Sequence, residues 1–586
     1  MRTFEEIKTT IEAGLGNIKC DTKLENVKLV NVFSKEVYET DIYIKDRRIV
    51  SIEKSANLEA NKTIDCKGKY AVPGLIDTHV HFESTLLSPE ALSSVIVPHG
   101  TTTMCVDLME IANVAGGDGI KAMLTSMKHL PYRMIIEVSS RVPTAPGLET
   151  NGVIMGAEEV DEILAWEESG SLGEIDPSKI LFSRDEYLQK IASTLQRRKI
   201  VNGHAIGRLG QELNVYASAG VSDDHECVDY EELIARIRLG MKVMVREGST
   251  ERNVEGLIKG VVEHKLSTEN LIFCTDDKHA SEIEEEGHIN YNINKSIELG
   301  VDPMEAIQMA TVNAAKHFRM EDEIGSITPG RLADILIVDD MENIKPSMVI
   351  FEGKVVAENG KLSQKVPVPV YPEWIKNTVK FKNPITGKSF ELKSKYNNNK
   401  TNVNVIGLID EQIINTWEKA ELSVVDGVIQ CDIENDILKL AVVERYGKTG
   451  GVGVGYVKGF GLKEGALAYS MSHDHHNIVA VGTNDEDMAI AANTIKEMQG
   501  GIAVVKDGIV LGQMELPIGG LMSEKDTDEV VVELEKMNDA AKELKCPLPA
   551  PFMTLSFISL PTVPALGLTD MGLIDVLNHK LIDTEI

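Results

Sequence analysis

The chain has 586 residues, 43% apolar and 26% charged, with a formal net charge of -31. That length exceeds what one core can organise, so two or three domains of ordinary globular composition are expected. The strong negative charge excludes a nucleic-acid backbone or an anionic membrane as a partner, but not a small uncharged ligand.

Residues 1–17 read as an amphipathic helix (Phe4, Ile7, Ile11) ending near Gly14 and Gly16. This stretch is charged and lacks the apolar core of a signal peptide. No run approaches the ~20 apolar residues of a membrane span. The seven cysteines are scattered, without a CxxC pair. This fits a reducing compartment with neither a disulfide framework nor a thiolate zinc site. A soluble cytoplasmic protein is the expectation.

From Val27 to Glu53 the pattern is short alternating β, with a turn at Asp46-Arg47. A sheet this small cannot bury its face alone. Matching β character returns at Gly330–Asp339 and Val349–Val356. The simplest account is one sandwich built from both flanks of an inserted domain; two separate β units are the alternative. Between the flanks, apolar strand-like runs alternate with helical stretches. The runs are Thr102–Asp107, Met134–Val138, Ile200–His204, Lys242–Val245 and Leu271–Asp276. The stretches include Ser88–His99, Gly156–Glu168, Tyr230–Gly240 and Pro303–Phe318. Such alternation indicates a parallel α/β arrangement, and its length suits a barrel of about 250 residues.

The expected fold is therefore α/β: a (β/α)8 TIM-like barrel inserted in a small β-sandwich, followed by a C-terminal α+β domain. The boundaries read as residues 1–71 for the helix and first part of the sandwich, 72–325 for the barrel and 326–365 for the rest of the sandwich. Residues 366–400, Pro-rich and then Asn-rich, form a linker. Residues 401–586 form the last domain, with mixed strands and helices. Its Gly447–Gly461 stretch matches neither GxxxxGK[ST] nor a strand-bounded GxGxxG, so turns and close packing account for those glycines better than phosphate binding.

The chemistry concentrates at Val72–Thr85. Leu75 and Ile76 leave a Pro73-Gly74 turn as a buried strand. Asp77, His79, His81 and Glu83 then alternate with Thr78, Val80 and Phe82. Alternate strand residues share a face, so both imidazoles project together between carboxylates, as a metal site needs. Glu174, His204, His225-Glu226 and Asp276-Asp277 each fall at or near the end of a later apolar run, where a (β/α)8 barrel carries its active site.

The segment Pro-Gly-Leu-Ile-Asp-x-His-x-His resembles the first-strand signature of the amidohydrolase superfamily. The longer Ile-Asp-Thr-His-Val-His-Phe-Glu-Ser, Gly-His-Ala at 203–205, Ser-Asp-Asp-His-Glu at 222–226 and Cys-Thr-Asp-Asp at 274–277 resemble its adenine deaminase branch. The likeness runs through nearly the whole chain. It implies a hydrolase that converts adenine to hypoxanthine and ammonia in purine salvage, at a centre of two divalent metals. It further implies that His79, His81 and Asp276 hold one ion and His204 and His225 the other, with Glu174 bridging. Hydantoinase-like members bridge with a carboxylated lysine. Here Lys179 lies five residues past Glu174, and the glutamate favours the deaminase branch.

An all-histidine and carboxylate site accommodates Mn, Fe or Zn, and the resemblance points to Mn or Fe. Hydroxide attack at adenine C6 requires a proton at N1 and another on the leaving amino group. Asp276 is the candidate for receiving and passing on the water proton, and Glu226 for supplying N1. Glu83 and Glu149 are candidate base contacts. Asp77, His473 and His476 are candidates for a supporting or site-closing role. Each has an ordinary alternative: a turn cap for His204, a solvated loop histidine for His225, a member of an acidic helix end for Glu174, and solvated acids for Glu83, Glu149 and Glu226. Asp276 is preferred over Asp277 by strand position. The cluster Ser472-His-Asp-His-His-Asn477 is open between a further metal site, a lid and a solvated patch. Adenine and water are the expected partners, and a homodimer the expected assembly. The rival readings are a cyclic amidase, a deacetylase or a non-catalytic scaffold.

Overall fold

The computed structural model describes residues 2–182, 184–249, 251–409, 414–563 and 565–586. The opening helix, Phe4–Gly14, starts at a capping box: Thr3 accepts from the Glu6 amide and Glu6 accepts in return from the Thr3 amide.

Beyond this helix, strands from both flanks of the central parallel-strand region enter one nine-stranded sheet. Ile335–Val338 pairs antiparallel with Tyr70–Pro73, which itself pairs with Cys20–Asn31. By hydrogen bonding the two flanks are therefore one unit, and the alternative of two separate β units does not hold. Leu24, Leu29, Ile42, Ile335 and Ile350 pack in its core.

Between those flanks the described residues form eight parallel strands. They are β1 (Leu75–Val80), β2 (Thr101–Asp107), β3 (Arg133–Val138), β4 (Ser169–Ile175), β5 (Ile200–Gly203), β6 (Asp223–Asp224), β7 (Lys242–Arg246) and β8 (Leu271–Cys274). β1 to β5 form one hydrogen-bonded run and β6 to β8 another. The sheet curls until the runs meet. At one seam the Asp276 amide donates to His79 O (3.0 Å) and the His81 amide to Asp276 O (3.3 Å). At the other, the Ser222 amide donates to Val201 O (2.8 Å). Helices such as Ala157–Leu164, Asp185–Gln196, Tyr230–Arg238 and Val254–Glu263 cross between successive strands. This is the strand–helix–strand repeat that parallel pairing demands. The stretch expected as one helix over Pro303–Phe318 is two, Pro303–Met309 and Val312–His317, because Thr311 leaves the helical region at φ -133° and ψ -95°.

The C-terminal region is built on a second nine-stranded sheet, antiparallel except where Lys400–Leu408 meets Val452–Lys458. Helices Asp485–Met498 and Thr527–Glu543 pack on it. It is not merely tethered to the curled sheet. Met109, Val142 and Leu172 share one apolar cluster with Leu438, Met471, Phe552 and Leu555. Residues 366–400 run between them with few regular elements, pinned where Tyr371 Oη donates to Glu90 Oε2 (3.0 Å) and by the burial of Ile375, Val379 and Phe390.

Candidate metal centre and active site

The pocket lies at the C-terminal ends of the eight strands. The period-2 pattern of β1 sends His79 and His81 to one side. Both are buried, with ring centroids 4.9 Å apart at 89°. His79 Nδ1 lies 2.7 Å from Glu137 Oε2 of β3, and His81 Nδ1 lies 3.2 Å from the Asp107 carbonyl oxygen of β2. These contacts fix the ring orientations and leave both Nε2 atoms facing the pocket.

The other predicted donors converge on the same point. Asp276, just beyond β8, places Oδ1 3.6 Å from His79 Nε2 and 3.8 Å from His81 Nε2. Glu174, in the last turn of β4, reaches both halves. Its Oε1 is 3.5 Å from His81 Nε2, and its Oε2 is 2.7 Å from His204 Nδ1 and 3.2 Å from His225 Nε2. The His225 ring stacks on His79 with centroids 4.3 Å apart. Two donors each about 2.1 Å from a shared cation sit about 3.0–3.5 Å apart at octahedral or tetrahedral angles. The separations above, 2.7 to 3.8 Å, bracket that spacing. His79, His81 and Glu174; His79, His225 and Asp276; and Glu174, His204 and His225 each bring ligand atoms within 4.8 Å of one another. The donor set fits divalent cations: nitrogen and carboxylate oxygen, buried, with His79 Nε2 lacking a hydrogen-bond partner among the described residues.

Two glycines allow this convergence. A Cβ on Gly173 would stand 2.2 Å from Asp107 Oδ2, and one on Gly203 would stand 2.1 Å from the Asp223 carbonyl oxygen. Only glycine permits β4 and β5 to approach their neighbours this closely just before Glu174 and His204.

Electrostatics separate the donors into kinds. Burial, with His225 and His81 close by, lowers His79 to about 4, so it stands as a neutral nitrogen donor. Burial also opposes charge on His204, but Glu174 outweighs it and raises the group to about 9. For Asp276 burial is outweighed by Arg246, His225 and His79, which lower it to about 2. Glu174 and Glu226 likewise lie well below the usual carboxylate range despite burial, held there first by Arg141 and Arg246 respectively. Asp277 goes the other way: burial and the adjacent Asp276 push it well up.

Glu226 borders the pocket, with Oε1 3.1 Å from His225 Nε2 and 3.2 Å from His204 Nδ1. Arg246, at the end of β7, donates to both Glu226 oxygens (2.9 and 3.1 Å) and to Asp276 Oδ2 (2.8 Å). One guanidinium thus ties together the two carboxylates singled out for proton transfer. Arg141 donates to Glu174 Oε1.

Asp77, Glu83 and Glu149 stand apart from the cluster of donors. Asp77 is turned to β8, where it accepts from the Thr275 amide (3.1 Å) and hydroxyl (2.5 Å) and lies 3.3 Å from His288 Nε2. The carboxylate that orients His79 is Glu137 instead. Glu83 lies under the pocket floor, accepting from the Ile111 amide (3.4 Å), with burial and Glu110 raising it well above its ordinary range. Glu149 accepts from the Ala145 amide (3.0 Å), and burial raises it to about 7.

The C-terminal region supplies the opposite wall: His473, Asp474, Phe557, Leu560, Thr562 and Val563. His473 stacks on Phe557 with centroids 4.3 Å apart at 7°. The loop carrying it is clamped to the curled sheet, since Asn477 Nδ2 donates to Thr150 O (2.9 Å) while Thr150 donates twice to Asp570 (2.9 and 2.7 Å). His476 is buried behind this wall.

Sequence reasoning missed Glu110, Glu137, Arg141 and Arg246. The one available signal was Glu137, an acid inside the apolar run Met134–Val138. Glu110 begins a helix, Met109–Leu124, disguised by Gly116-Gly117-Asp118-Gly119, where the chain kinks at Gly116.

A metal-ligating fold of curled parallel sheet and strand-end histidines defines a class, and comparison with known proteins agrees. Residues 70–356 match the amidohydrolase family, and residues 412–580 match the adenine deaminase C-terminal domain. Three similar proteins carry the name adenine deaminase. That of Desulforamulus reducens is 54% identical over 98% of this chain and 97% of its own. That of Clostridium botulinum (Type A, ATCC 19397) is 40% identical over 98% and 96%. That of Methanococcoides burtonii is 39% identical over 99% of each. The chain belongs to the adenine deaminase family of the amidohydrolases.

Proposed function

We propose that this chain hydrolyses adenine to hypoxanthine and ammonia. The observation that carries the reading is the meeting of His79, His81, Glu174, His204, His225 and Asp276 in one pocket, in a chain matched end to end by adenine deaminases. The architecture is read with it: a (β/α)8 barrel inserted in a β-sandwich, whose pocket the C-terminal domain closes.

In this reading His79, His81 and Asp276 hold one divalent ion, His204 and His225 a second, and Glu174 spans the two. Divalent cations held there supply Lewis acidity, which lowers a water pKa from 15.7 to about 7 and makes hydroxide available at neutral pH. The imidazole and carboxylate donors, with no cysteine among the described residues that line the pocket, accommodate Mn, Fe or Zn, and the resemblance to adenine deaminases favours Mn or Fe.

The chain's own groups then move protons. Water adds at C6 as hydroxide while N1 is protonated. The adduct's C6 hydroxyl proton then passes by way of Asp276 to the amino nitrogen, the C6–N bond breaks with its electron pair leaving on ammonia, and C6–OH becomes C6=O. Asp276, ionised beside Arg246, receives the proton that water loses. Glu226 enters as a carboxylate, because Arg246 grips both its oxygens. It must therefore take up that proton before giving it to N1, and the Arg246 bridge keeps the two carboxylates in register for the transfer. Phe557, Leu560 and Val563 keep bulk water from the base. Glu83 and Glu149 support the loops around the base in this proposal instead of touching it. A homodimer is proposed for the assembly, which light scattering measures.

The test is ammonia release from a panel of purines and cyclic amides by Mn- or Fe-reconstituted protein. Adenine is expected to be the best substrate. Hydrolysis of a cyclic amide with adenine untouched would overturn the assignment.

A further inference from the structure

A second group of ligand atoms is built into the pocket wall: those of Glu110 and His473, which line the pocket, and of His476, all within 4.8 Å of one another. Glu110 comes from the helix after β2, and the two histidines from the loop between strands Ala466–Tyr469 and Ile478–Gly482. The three side chains are at most 3% exposed. Yet Glu110 Oε1 and all four ring nitrogens of His473 and His476 make no hydrogen bond of good geometry among the described residues, although the Ser556 and Asp474 backbone approaches the two rings.

Groups buried in this state are costly, and folded proteins rarely tolerate one, let alone five adjoining. The rings are also not loose. His473 is stacked on Phe557, its amide donates to Ser556 O (2.9 Å), and the His476 amide donates to Ser472 O (2.6 Å). Nor do they bond each other: Glu110 Oε1 is 3.7 Å from His473 Nε2, and the two rings meet edge-on with centroids 5.5 Å apart. That is too long for a hydrogen bond and suitable for two donors sharing a cation. His475, between them in sequence, behaves differently. Its Nδ1 accepts from the Asn477 amide (3.1 Å) and stands outside the group.

We propose that Glu110, His473 and His476 form a third metal site, a two-histidine, one-carboxylate site for a first-row divalent ion, joining the curled sheet to the C-terminal region. The inference goes beyond the deaminase reading, which uses none of these three as ligands. Its position gives it a role. The second oxygen of Glu110 lies 3.3 Å from His81 Nδ1, so an ion here fixes the acid that backs a pocket histidine. It also pins the loop that walls the pocket.

The full chain, reconstituted with Mn(II) and freed of excess ion, is counted for metal and crystallised for anomalous diffraction. Three ions per chain are expected in the wild type and two in His476→Ala. The isosteric Glu110→Gln is also expected to hold two, which covers the case in which the histidine variant fails to fold. An anomalous peak among Glu110, His473 and His476 is expected in the wild type. Water density there without such a peak, or an unchanged count in Glu110→Gln, overturns the site. Peaks around His79 and His204 report separately on the two-ion centre, so failure of one reading is distinguishable from failure of the other.

Discussion

Two histidine clusters face each other across the pocket, and they are built differently. His79 lies near the end of β1 and His81 just past it, each with one nitrogen held from another strand of the sheet, by Glu137 and the Asp107 carbonyl. His473 and His476 sit three apart in a loop, with no ring nitrogen in a hydrogen bond of good geometry among the described residues. In the first cluster the backbone does the orienting, so the local pattern is enough to read it. In the second, orientation comes from remote packing against Phe557 and Ser556. A strand-end cluster should therefore fail by loss of chemistry, and a loop cluster by loss of closure.

The sharpest way to break this comparison is His79→Ala. It removes a nitrogen that faces both Asp276 and the His225 ring. Metal content of the centre and ammonia release are expected to fall together to background, while circular dichroism stays native. Retained turnover would end the strand-end account. Glu226→Gln comes next. Ions should stay bound, since neither proposed ion depends on it, while kcat falls about 10²–10⁴-fold as expected for a lost proton donor; wild-type kcat would remove Glu226 from the mechanism. Glu137→Ala tests the orienting contact. Freeing the His79 ring is expected to weaken metal affinity about 10–100-fold, read by competition with a chelator. The smallest effect belongs to the loop. Asn477→Ala deletes the bond to Thr150 O and the acceptor for the Arg445 amide (3.1 Å). Stability should drop about 1–3 kcal/mol in denaturant unfolding, with the count of ions in the centre unchanged. A loss of those ions in Asn477→Ala would mean the two clusters are not separable.

The site was legible to the extent that its donors lie at strand ends. Glu174, His204, His225 and Asp276 each close an apolar run, so their convergence followed once the runs were taken as parallel strands. Arg246 and Arg141 were not legible. They pair with carboxylates twenty or more residues away, and nothing local distinguishes them from surface arginines. Asp77 shares the His79 face in sequence, but its carboxylate accepts from Thr275, just past β8 and next to Asp276, and from the His79 amide (3.4 Å), a supporting position that only the packed strands reveal. The flanking strands were matched by character alone, and only the pairing of Ile335–Val338 with Tyr70–Pro73 made them one sheet.

By itself the sequence determined the periodic elements and the side each residue faces, because strand and helix repeats are local geometry. It therefore set the paired histidines of β1 and the order of the donors. Tertiary structure decided which charges meet. Arg246 bridges Glu226 and Asp276, and Glu137 buttresses His79. Phe557 and the 472–477 loop arrive from hundreds of residues away to wall the pocket. Those choices depend on distances between distant segments, which only the packed chain defines.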